Sequence, residues 1–184
     1  IESVSKITAA GGDYKKIRFT FQEYFERLGK DKKKWGKPFS ALLGALYAQK
    51  EFVLPSIGGK DSMSGTFNEL NVPPTLISFA VNTVNATHVI SPEFKAAGNN
   101  IYLIKHDIDE RYMPDFQEIK KNYDFIHKNI LEGSIISAMA LKQGGIGEAT
   151  AKMCFGNKIG ADINIEEEEV FKLNYGAVIV ESEI

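Results

Sequence analysis

The spacing of apolar residues predicts two long helices. Along residues 35–49 they recur every three to four positions, which describes one apolar stripe on a helix that ends near Gln49. The stripe consists of Trp35, Phe39, Leu42, Leu43 and Leu46. The same periodicity predicts a second helix from Asp115 to Leu131, ended by Gly133, with its apolar side at Phe116, Ile119, Tyr123, Ile126 and Ile130.

Weaker patterns predict the remaining elements. A short helix closed by Gly29 is predicted over 19–29, and another over 146–155, behind the double glycine Gly144-Gly145. Runs of strand-forming residues predict strands at 52–57, 76–84, 101–105, 134–141 and 161–165, with at least one more inside 170–180.

This order of elements predicts an α/β fold in two parts. The first part reads as helix, helix and strand, and the remainder mixes strands with helices, so we place the boundary at the Asn71–Pro74 segment. The predicted domains are residues 1–73 and 74–184. The chain starts with Ile1 and stops just after a strand-like run, so we expect it to be part of a longer polypeptide.

Composition and charge narrow the function. The net charge of -2 gives no general reason to bind nucleic acid or an anionic membrane. Cys154 is the single cysteine, which excludes an internal disulfide, and its spacing suggests a buried structural thiol. No run reaches the roughly 18 apolar residues that span a bilayer, so the cytoplasm is expected. The basic run 30–37 and the acidic run 166–169 are interpreted as solvated segments.

The segment Ser56–Gly65, "SIGGKDSMSG", carries the candidate chemistry. Two glycines between apolar runs can be a plain turn, but Lys60 and Ser62 beside Gly58 and Gly59 form a set of donors suited to phosphate. A Walker A loop is excluded, because no glycine lies five residues before Gly59 and Asp61 follows the lysine.

Two enzyme classes have similar residues in this segment. The loop of ATP pyrophosphatases, S-G-G-x-D-S, matches residues 58–62, but Ile57 replaces its leading serine. That loop also opens onto a helix, whereas Gly65, Pro73 and Pro74 prevent a helix of useful length. The alternatives are an adenylating enzyme of this class and a non-catalytic α/β module whose glycines only turn the chain.

Several separated motifs resemble one family instead. The run from "WGKPFSALLGALYAQ" through "GGKDSMSG" to "PPTLISFAV" resembles the large formylglycinamide ribonucleotide amidotransferases of purine biosynthesis (phosphoribosylformylglycinamidine synthases), in their second synthetase half. The later "GGIGEATAKMCFGNKIGADINI" and "YGAVIVES" are similar to that family in order and spacing, so the resemblance covers nearly the whole chain.

The resemblance implies a ligase fragment. The family converts formylglycinamide ribonucleotide, ATP and glutamine to the amidine, ADP, phosphate and glutamate, with Mg²⁺ holding the phosphates. The implied fold is the tail of an aminoimidazole ribonucleotide synthetase-like N-terminal subdomain followed by its mixed-sheet C-terminal subdomain. Its implied partners are the remaining synthetase domains and a glutaminase domain. No catalytic residue of the family falls in this chain, so the fragment alone is expected to be inactive.

Position by position, the resemblance implies nucleotide or substrate contacts for Gly59 and Ser62. Gly58 and Lys60 are candidates for the same contacts from their residue types, Gly58 by close backbone approach and Lys60 by neutralising phosphate charge. Lys60 stands where small-subunit relatives have a metal-binding asparagine, and an ammonium cannot bind Mg²⁺. Asp61 is therefore a candidate for a metal ligand or for an ion pair.

The second glycine pair departs from the family pattern. Gly144-Gly145 lacks the preceding acidic D-x-S-D, which argues against an auxiliary metal–nucleotide site. It remains a candidate anion-binding turn, with a plain helix-entry turn as the alternative. The three histidines share no ligand spacing and are expected at the surface or partly packed.

Overall fold

The structure is a computed structural model that describes residues 1–183. Contacts divide the chain into two compact units: residues 17–81 form the smaller one, and residues 1–16 with those from 82 onward form the larger one. The boundary predicted at 73/74 differs from this division. Residues 75–81 pair as a strand with residues 18–24, so they belong to the smaller unit, and the first 16 residues pack with the larger one.

Four α-helices, three short 3₁₀ helices and eight strands make up the regular structure of residues 1–183. The helices are α1 (Glu2–Ala9), α2 (Lys32–Phe52), α3 (Phe116–Leu131) and α4 (Gly145–Asn157). The strands are β1 (Arg18–Tyr24), β2 (Ser56–Ser62), β3 (Thr66–Phe67), β4 (Leu70–Asn71), β5 (Thr75–Val81), β6 (Asn100–Ile104), β7 (Ile135–Ala140) and β8 (Val178–Ser182). None of these helices is both long and apolar enough to cross a membrane.

The smaller unit is built around β1. This strand pairs in parallel with β2 and antiparallel with β5, giving the order β2-β1-β5. The prediction of a short helix over 19–29 is therefore wrong. The run "RFTFQEY" contains helix formers, but its aromatic and polar residues also alternate as in a strand. Hydrogen-bond ladders to two neighbouring strands outweigh its weak local preference for helix.

Helix α2 confirms the predicted helix. The Asp31 side chain caps its start by accepting a hydrogen bond from the Lys33 N–H at 2.9 Å. The basic run 30–37 is thus mostly the first turns of this helix rather than a loop, and Lys34 and Lys37 pair with the buried Glu26 carboxylate. The predicted apolar stripe forms, but its five side chains are 49–63% exposed.

The larger unit has an antiparallel sheet with the order β6-β8-β7. The central strand β8 is buried along its whole length. Ile179 packs with α4 in one apolar cluster, so the alternation of side chains directs Val178 and Val180 to the opposite face. Helices α1 and α3 contact each other and β7, which places helices on both sides of the sheet.

Most of the elements predicted for the larger unit are confirmed. Strands β6 and β7 and helices α3 and α4 lie within a few residues of their predicted bounds. Residues 161–165 are irregular rather than a strand. Ile159 and Ala161 pack against the apolar core, but this segment does not pair with a neighbouring strand. Within 170–180 only the last residues are extended, as the start of β8.

A buried carboxylate organises the segment before β6. Glu181 of β8 is 1% exposed, and its oxygens accept hydrogen bonds from the Lys95 N–H at 2.8 and 3.0 Å and from the Ala96 N–H at 3.1 Å. The Asn99 side-chain amide donates a further one at 2.8 Å. These donors satisfy the charge, so Glu181 holds the 95–99 segment to the sheet.

Candidate functional site

The segment predicted as a phosphate loop is a strand. Residues Ser56–Ser62 form β2, an edge strand whose residues are exposed from Ser56 to Asp61. The interpretation as a loop is therefore corrected: parallel pairing with β1 keeps the two glycines extended within a ladder. The candidate residues are presented from a sheet edge, where neighbouring strands fix their directions.

Pairing separates the candidate residues onto two faces. Lys60 lies opposite Gln22, and Ser62 lies opposite Tyr24. Since side chains alternate along a strand, Lys60 and Ser62 project from the same face, together with Gln22 and Tyr24. We call this the Lys60 face. On it the Tyr24 hydroxyl donates a hydrogen bond to Gln22 Oε1 at 3.3 Å.

Antiparallel pairing extends the Lys60 face across β1. Thr75 lies opposite Tyr24, Ile77 opposite Gln22 and Phe79 opposite Thr20. Ile77 is 37% and Phe79 44% exposed, so one end of this face is apolar while the end at Ser62 is polar. A surface of this kind can contact the polar head of a ligand and the apolar part of a ligand or a protein.

Gly59 has a structural reason to be glycine. A Cβ at this position would lie 2.7 Å from the Phe21 carbonyl oxygen on β1, closer than real Cβ contacts. The close approach of β2 to β1 therefore requires a residue without a side chain. This explains the residue type without a ligand, and the predicted contact of Gly59 with nucleotide stays a prediction.

Asp61 and Glu23 share the opposite face of the sheet. They are paired across β1 and β2, and Glu23 is 5% exposed with its Oε1 buried and without a hydrogen-bond partner among residues 1–183. Burial first, and the negative charge of Asp61 second, raise the pKa of Glu23. Within the described chain Asp61 forms no ion pair, and both of its predicted roles stay predictions.

The chain beyond β2 turns back without forming a helix. The Phe25 N–H donates to the Ser62 carbonyl at 2.9 Å, and the Gly65 N–H donates to the Phe25 carbonyl at 2.9 Å. Strands β3 and β4 then form a hairpin. The expected absence of a helix after the glycines is confirmed for this segment, which removes the main structural requirement of a pyrophosphatase loop.

The turn at Gly144-Gly145 is closed by its own contacts. The Gly144 N–H donates to Glu148 Oε2 at 2.9 Å, and the Gly145 N–H donates to the Lys142 carbonyl at 3.1 Å. Gly145 has a φ of +60°, and a Cβ there would lie 2.9 Å from two backbone oxygens of residues 170–172. These contacts favour the plain helix-entry turn, and anion binding there stays a prediction.

Sequence reasoning missed three residues of this region. Gln22, Glu23 and Tyr24 were assigned to a helix, where they would not meet the "GGKDS" residues. The signal that could have found them is the alternation of Phe19 and Phe21 with polar neighbours in "RFTFQEY", which is typical of a strand.

The histidines and the cysteine are mostly as expected. His88 and His127 are half-buried, and His127 Nδ1 lies 3.1 Å from the Gly11 carbonyl oxygen. Cys154 of α4 is half-buried and packs against the apolar core. His106 contradicts the prediction: it is 3% exposed, and neither ring nitrogen has a hydrogen-bond partner among residues 1–183.

Burial of His106 makes the stability of the folded chain sensitive to acid. Desolvation lowers the pKa of His106 below its ordinary 6.5, against the opposing charges of Glu118, Asp115 and Asp107. The folded state therefore favours the neutral ring, and the unfolded state binds more protons once the pH falls below 6.5. We expect His106→Leu to remove a pH dependence of up to about 1.4 kcal/mol per pH unit.

Urea unfolding of the native chain, His106→Leu and the control His88→Leu between pH 7 and pH 5 measures this effect. The expected result is a shallower loss of unfolding free energy for His106→Leu alone. Parallel curves for all three proteins would show that the ring is not held neutral in the folded state.

The described residues offer limited means to hold a metal. No group of three or more histidine, cysteine, aspartate or glutamate side chains lies close enough together among residues 1–183 to bind one. The pair Glu23 and Asp61 is compatible with a divalent cation that also takes oxygen ligands from a phosphate or from water. The orphaned Glu23 oxygen is the observation that supports this fit.

Comparison with protein-family profiles finds no match to this chain. A 72-residue part, 38% of the chain, is 31% identical to the phosphoribosylformylglycinamidine synthase subunit PurL of Methanocaldococcus jannaschii and covers 10% of that protein. Phosphoribosylformylglycinamidine synthase II of Thermotoga maritima matches the structure over 100% of this chain and 28% of its own, with a TM-score of 0.68 and 20% identity.

Two further solved structures match nearly the whole chain. T. maritima PurL complexed with ATP is matched over 98% of this chain and 31% of its own, with a TM-score of 0.64 and 12% identity. The hydrogenase maturation protein HypE is matched over 98% and 63%, with a TM-score of 0.61 and 11% identity. The chain thus spans less than a third of the PurL chains it matches, and the α/β fold class predicted from the sequence is confirmed. The chain has a mixed α/β fold like that of the PurL and HypE structures, and a 72-residue part of its sequence is similar to PurL.

Proposed function

We propose that this chain is part of the synthetase region of a phosphoribosylformylglycinamidine synthase. In that role it helps to convert formylglycinamide ribonucleotide, ATP and glutamine to formylglycinamidine ribonucleotide, ADP, phosphate and glutamate in purine biosynthesis. The observation that supports the proposal is that the same chain matches PurL both in sequence and in fold. T. maritima PurL has been solved with ATP, with ADP, with AMPPCP and with FGAR.

The proposed contacts to nucleotide or substrate come from the Lys60 face. Lys60 supplies a positive charge to a phosphate, and the Ser62 hydroxyl donates a hydrogen bond to phosphate or to the substrate. Their placement on one face with Gln22 allows the three side chains to act on one bound molecule. The absence of a side chain at Gly58, where a Cβ would meet nothing within 4 Å, leaves room for a ligand at the exposed edge of β2.

Asp61 and Glu23 are the residues of this chain that would hold Mg²⁺. They lie on the face of the sheet opposite the Lys60 face, so a cation held there is separate from a phosphate that Lys60 contacts. Two carboxylates on neighbouring strands, with other oxygens from water, are compatible with Mg²⁺. In the absence of a cation the same pairing leaves Glu23 buried beside a like charge, which is the arrangement that raises its pKa.

The proposal requires protein partners, because the reaction also needs groups that lie elsewhere. We propose that the remaining synthetase domains complete the site and that a glutaminase domain supplies ammonia, in the cytoplasm. The apolar stripe of α2 and the apolar end of the Lys60 face are exposed, as expected for surfaces that other domains cover. T. maritima PurL has itself been solved in an assembly described as PurLQS.

The site residues are tested by titrating the full-length protein with ATP and Mg²⁺. We expect Lys60→Ala to weaken ATP binding by about 10- to 100-fold, because a charge-assisted contact of roughly 1.5–3 kcal/mol is lost. Ser62→Ala is expected to weaken binding of ATP or of formylglycinamide ribonucleotide by about fivefold, a neutral hydrogen bond being worth about 1 kcal/mol.

The matched control is Lys50→Ala, which removes an exposed lysine from the end of α2 in the same unit. It should bind both ligands as the native protein does. Equal affinities for the native protein, Lys60→Ala and Ser62→Ala would favour the non-catalytic module, in which the glycines serve only the backbone.

A further inference from the structure

The larger unit contains a cleft whose lining includes no residue of the Lys60 face. Its volume is about 590 Å³, within the usual range for small-molecule sites, and it opens between β6, α4 and the irregular segment 159–165. The apolar part of its wall is formed by Ile101, Leu103, Ile146, Ile159, Ile163 and Ile179. All of the lining residues belong to the larger unit, so the cleft is complete within it.

The polar part of the wall is entirely neutral or acidic. Glu181 and Asp162 supply carboxylates, and Asn99 and Asn164 supply side-chain amides. Among the lining residues of the described chain there is no lysine, arginine or histidine. The Glu181 charge is held in place by the backbone N–H groups of Lys95 and Ala96, while Asp162 is exposed.

One lining residue has an unused hydrogen-bonding group. Thr150 of α4 is 6% exposed, and its hydroxyl oxygen is buried without a hydrogen-bond partner among residues 1–183. A buried hydroxyl without a partner is unfavourable, and most such groups in folded proteins are satisfied by protein, water or ligand. This is an observation independent of the charge of the wall.

We propose that this cleft binds a small molecule with an apolar body and a protonated amine. The isoleucine wall contacts the body, and the carboxylates of Asp162 and Glu181 attract the ammonium. The same charges repel phosphates and carboxylates, so this site takes a different class of ligand from the one proposed for the Lys60 face. The inference does not depend on the proposed synthetase function.

Three probes that share a phenyl ring and differ in head group test the proposal: phenethylamine, 2-phenylethanol and phenylacetate. Each is titrated into the 184-residue chain with ¹³C-labelled isoleucine δ1 methyl groups. We expect phenethylamine to shift the methyls of Ile101, Ile159 and Ile163 with a Kd on the order of millimolar, as is usual for a ligand of this size. The methyls of Ile119 and Ile126 in α3 should stay unchanged.

Phenylacetate is expected to bind at least about tenfold more weakly than phenethylamine, because its charge meets two carboxylates of the same sign. Asp162→Lys should remove most of this preference, because Glu181 is then balanced by a positive charge, and should leave 2-phenylethanol within about twofold, since only the charge of an exposed residue changes. Glu167→Lys makes the same change of net charge outside the cleft and should leave the order as in the native chain.

Two results would overturn the proposal. The first is binding of phenylacetate as tight as that of phenethylamine in the native chain. The second is an absence of shifts at the methyls of the cleft up to 10-fold above the expected Kd. An unchanged preference for phenethylamine in Asp162→Lys would also contradict the assigned role of Asp162.

Discussion

Glu181→Gln is expected to destabilise the larger unit by about 3 kcal/mol or more, because hydrogen bonds to a charged group are worth roughly 1.5–3 kcal/mol each. Both carboxylate oxygens of Glu181 accept hydrogen bonds, from the Lys95 N–H, the Ala96 N–H and the Asn99 side-chain amide. A glutamine would direct an NH₂ group at one of these donors. The charge would be lost as well.

Thermal and urea unfolding of the purified chain measure this effect. Glu183→Gln is the matched control, since Glu183 follows β8 and is exposed. It should change the unfolding free energy by less than about 0.5 kcal/mol, as surface substitutions usually do. If Glu181→Gln were as stable as this control, the 95–99 segment would not depend on the carboxylate.

Glu23→Gln is expected to have the opposite sign and to stabilise the smaller unit by about 1–2 kcal/mol at pH 7, because it removes a buried charge that lacks a compensating partner. The pKa of Glu23 is raised above its ordinary 4.5, first by burial and then by Asp61. The folded state therefore favours the protonated form. The native chain loses stability as the pH rises through 4.5 toward the folded pKa, and the glutamine variant does not.

The difference between the two proteins should consequently be small at pH 4, grow as the pH rises, and become constant above the folded pKa of Glu23. Urea unfolding at pH 4, 5, 6 and 7 follows this course. Addition of Mg²⁺ at pH 7 should stabilise the native chain and reduce the difference, if Glu23 and Asp61 hold the ion. A variant less stable than the native chain at pH 7 would show that the carboxylate is satisfied in the folded state.

Helices with a complete local signal were predictable from the sequence. Helix α3 has an apolar stripe and a strong start signal, since Asp115 accepts hydrogen bonds from the Gln117 and Glu118 N–H groups. These hydrogen bonds lower the pKa of Asp115. Strand β1 was not predictable in the same way, because its conformation depends on pairing with two strands that are distant in sequence.

The apolar stripe of α2 shows a different limit. Its spacing predicted the helix correctly, but its five side chains are exposed: Trp35, Phe39, Leu42, Leu43 and Leu46. Periodicity states which side of a helix is apolar, and it does not state whether the group that covers this side belongs to the same chain. The exposure agrees with the proposal that other domains complete the structure.

The residue types of the candidate site were proposed from the sequence, but their arrangement on a strand was not. The residues of "GGKDS" were identified from their types, but the division of Lys60 and Ser62 from Gly59 and Asp61 depends on β2 being a strand. Glu23 was missed for the same reason, because its position beside Asp61 follows from the register of β1 and β2. His106 was missed because no local pattern indicates burial of a single polar side chain.

Product formation by the full-length protein tests the central claim most directly. Formylglycinamidine ribonucleotide and ADP are measured with formylglycinamide ribonucleotide, ATP, Mg²⁺ and an ammonia source, for the native protein, Lys60→Ala, Lys50→Ala and the 184-residue chain alone. We expect substrate-dependent turnover by the native protein and Lys50→Ala, a decrease of about tenfold or more in Lys60→Ala, and none by the chain alone. Substrate-dependent turnover by the chain alone, or full activity in Lys60→Ala, would contradict the central claim.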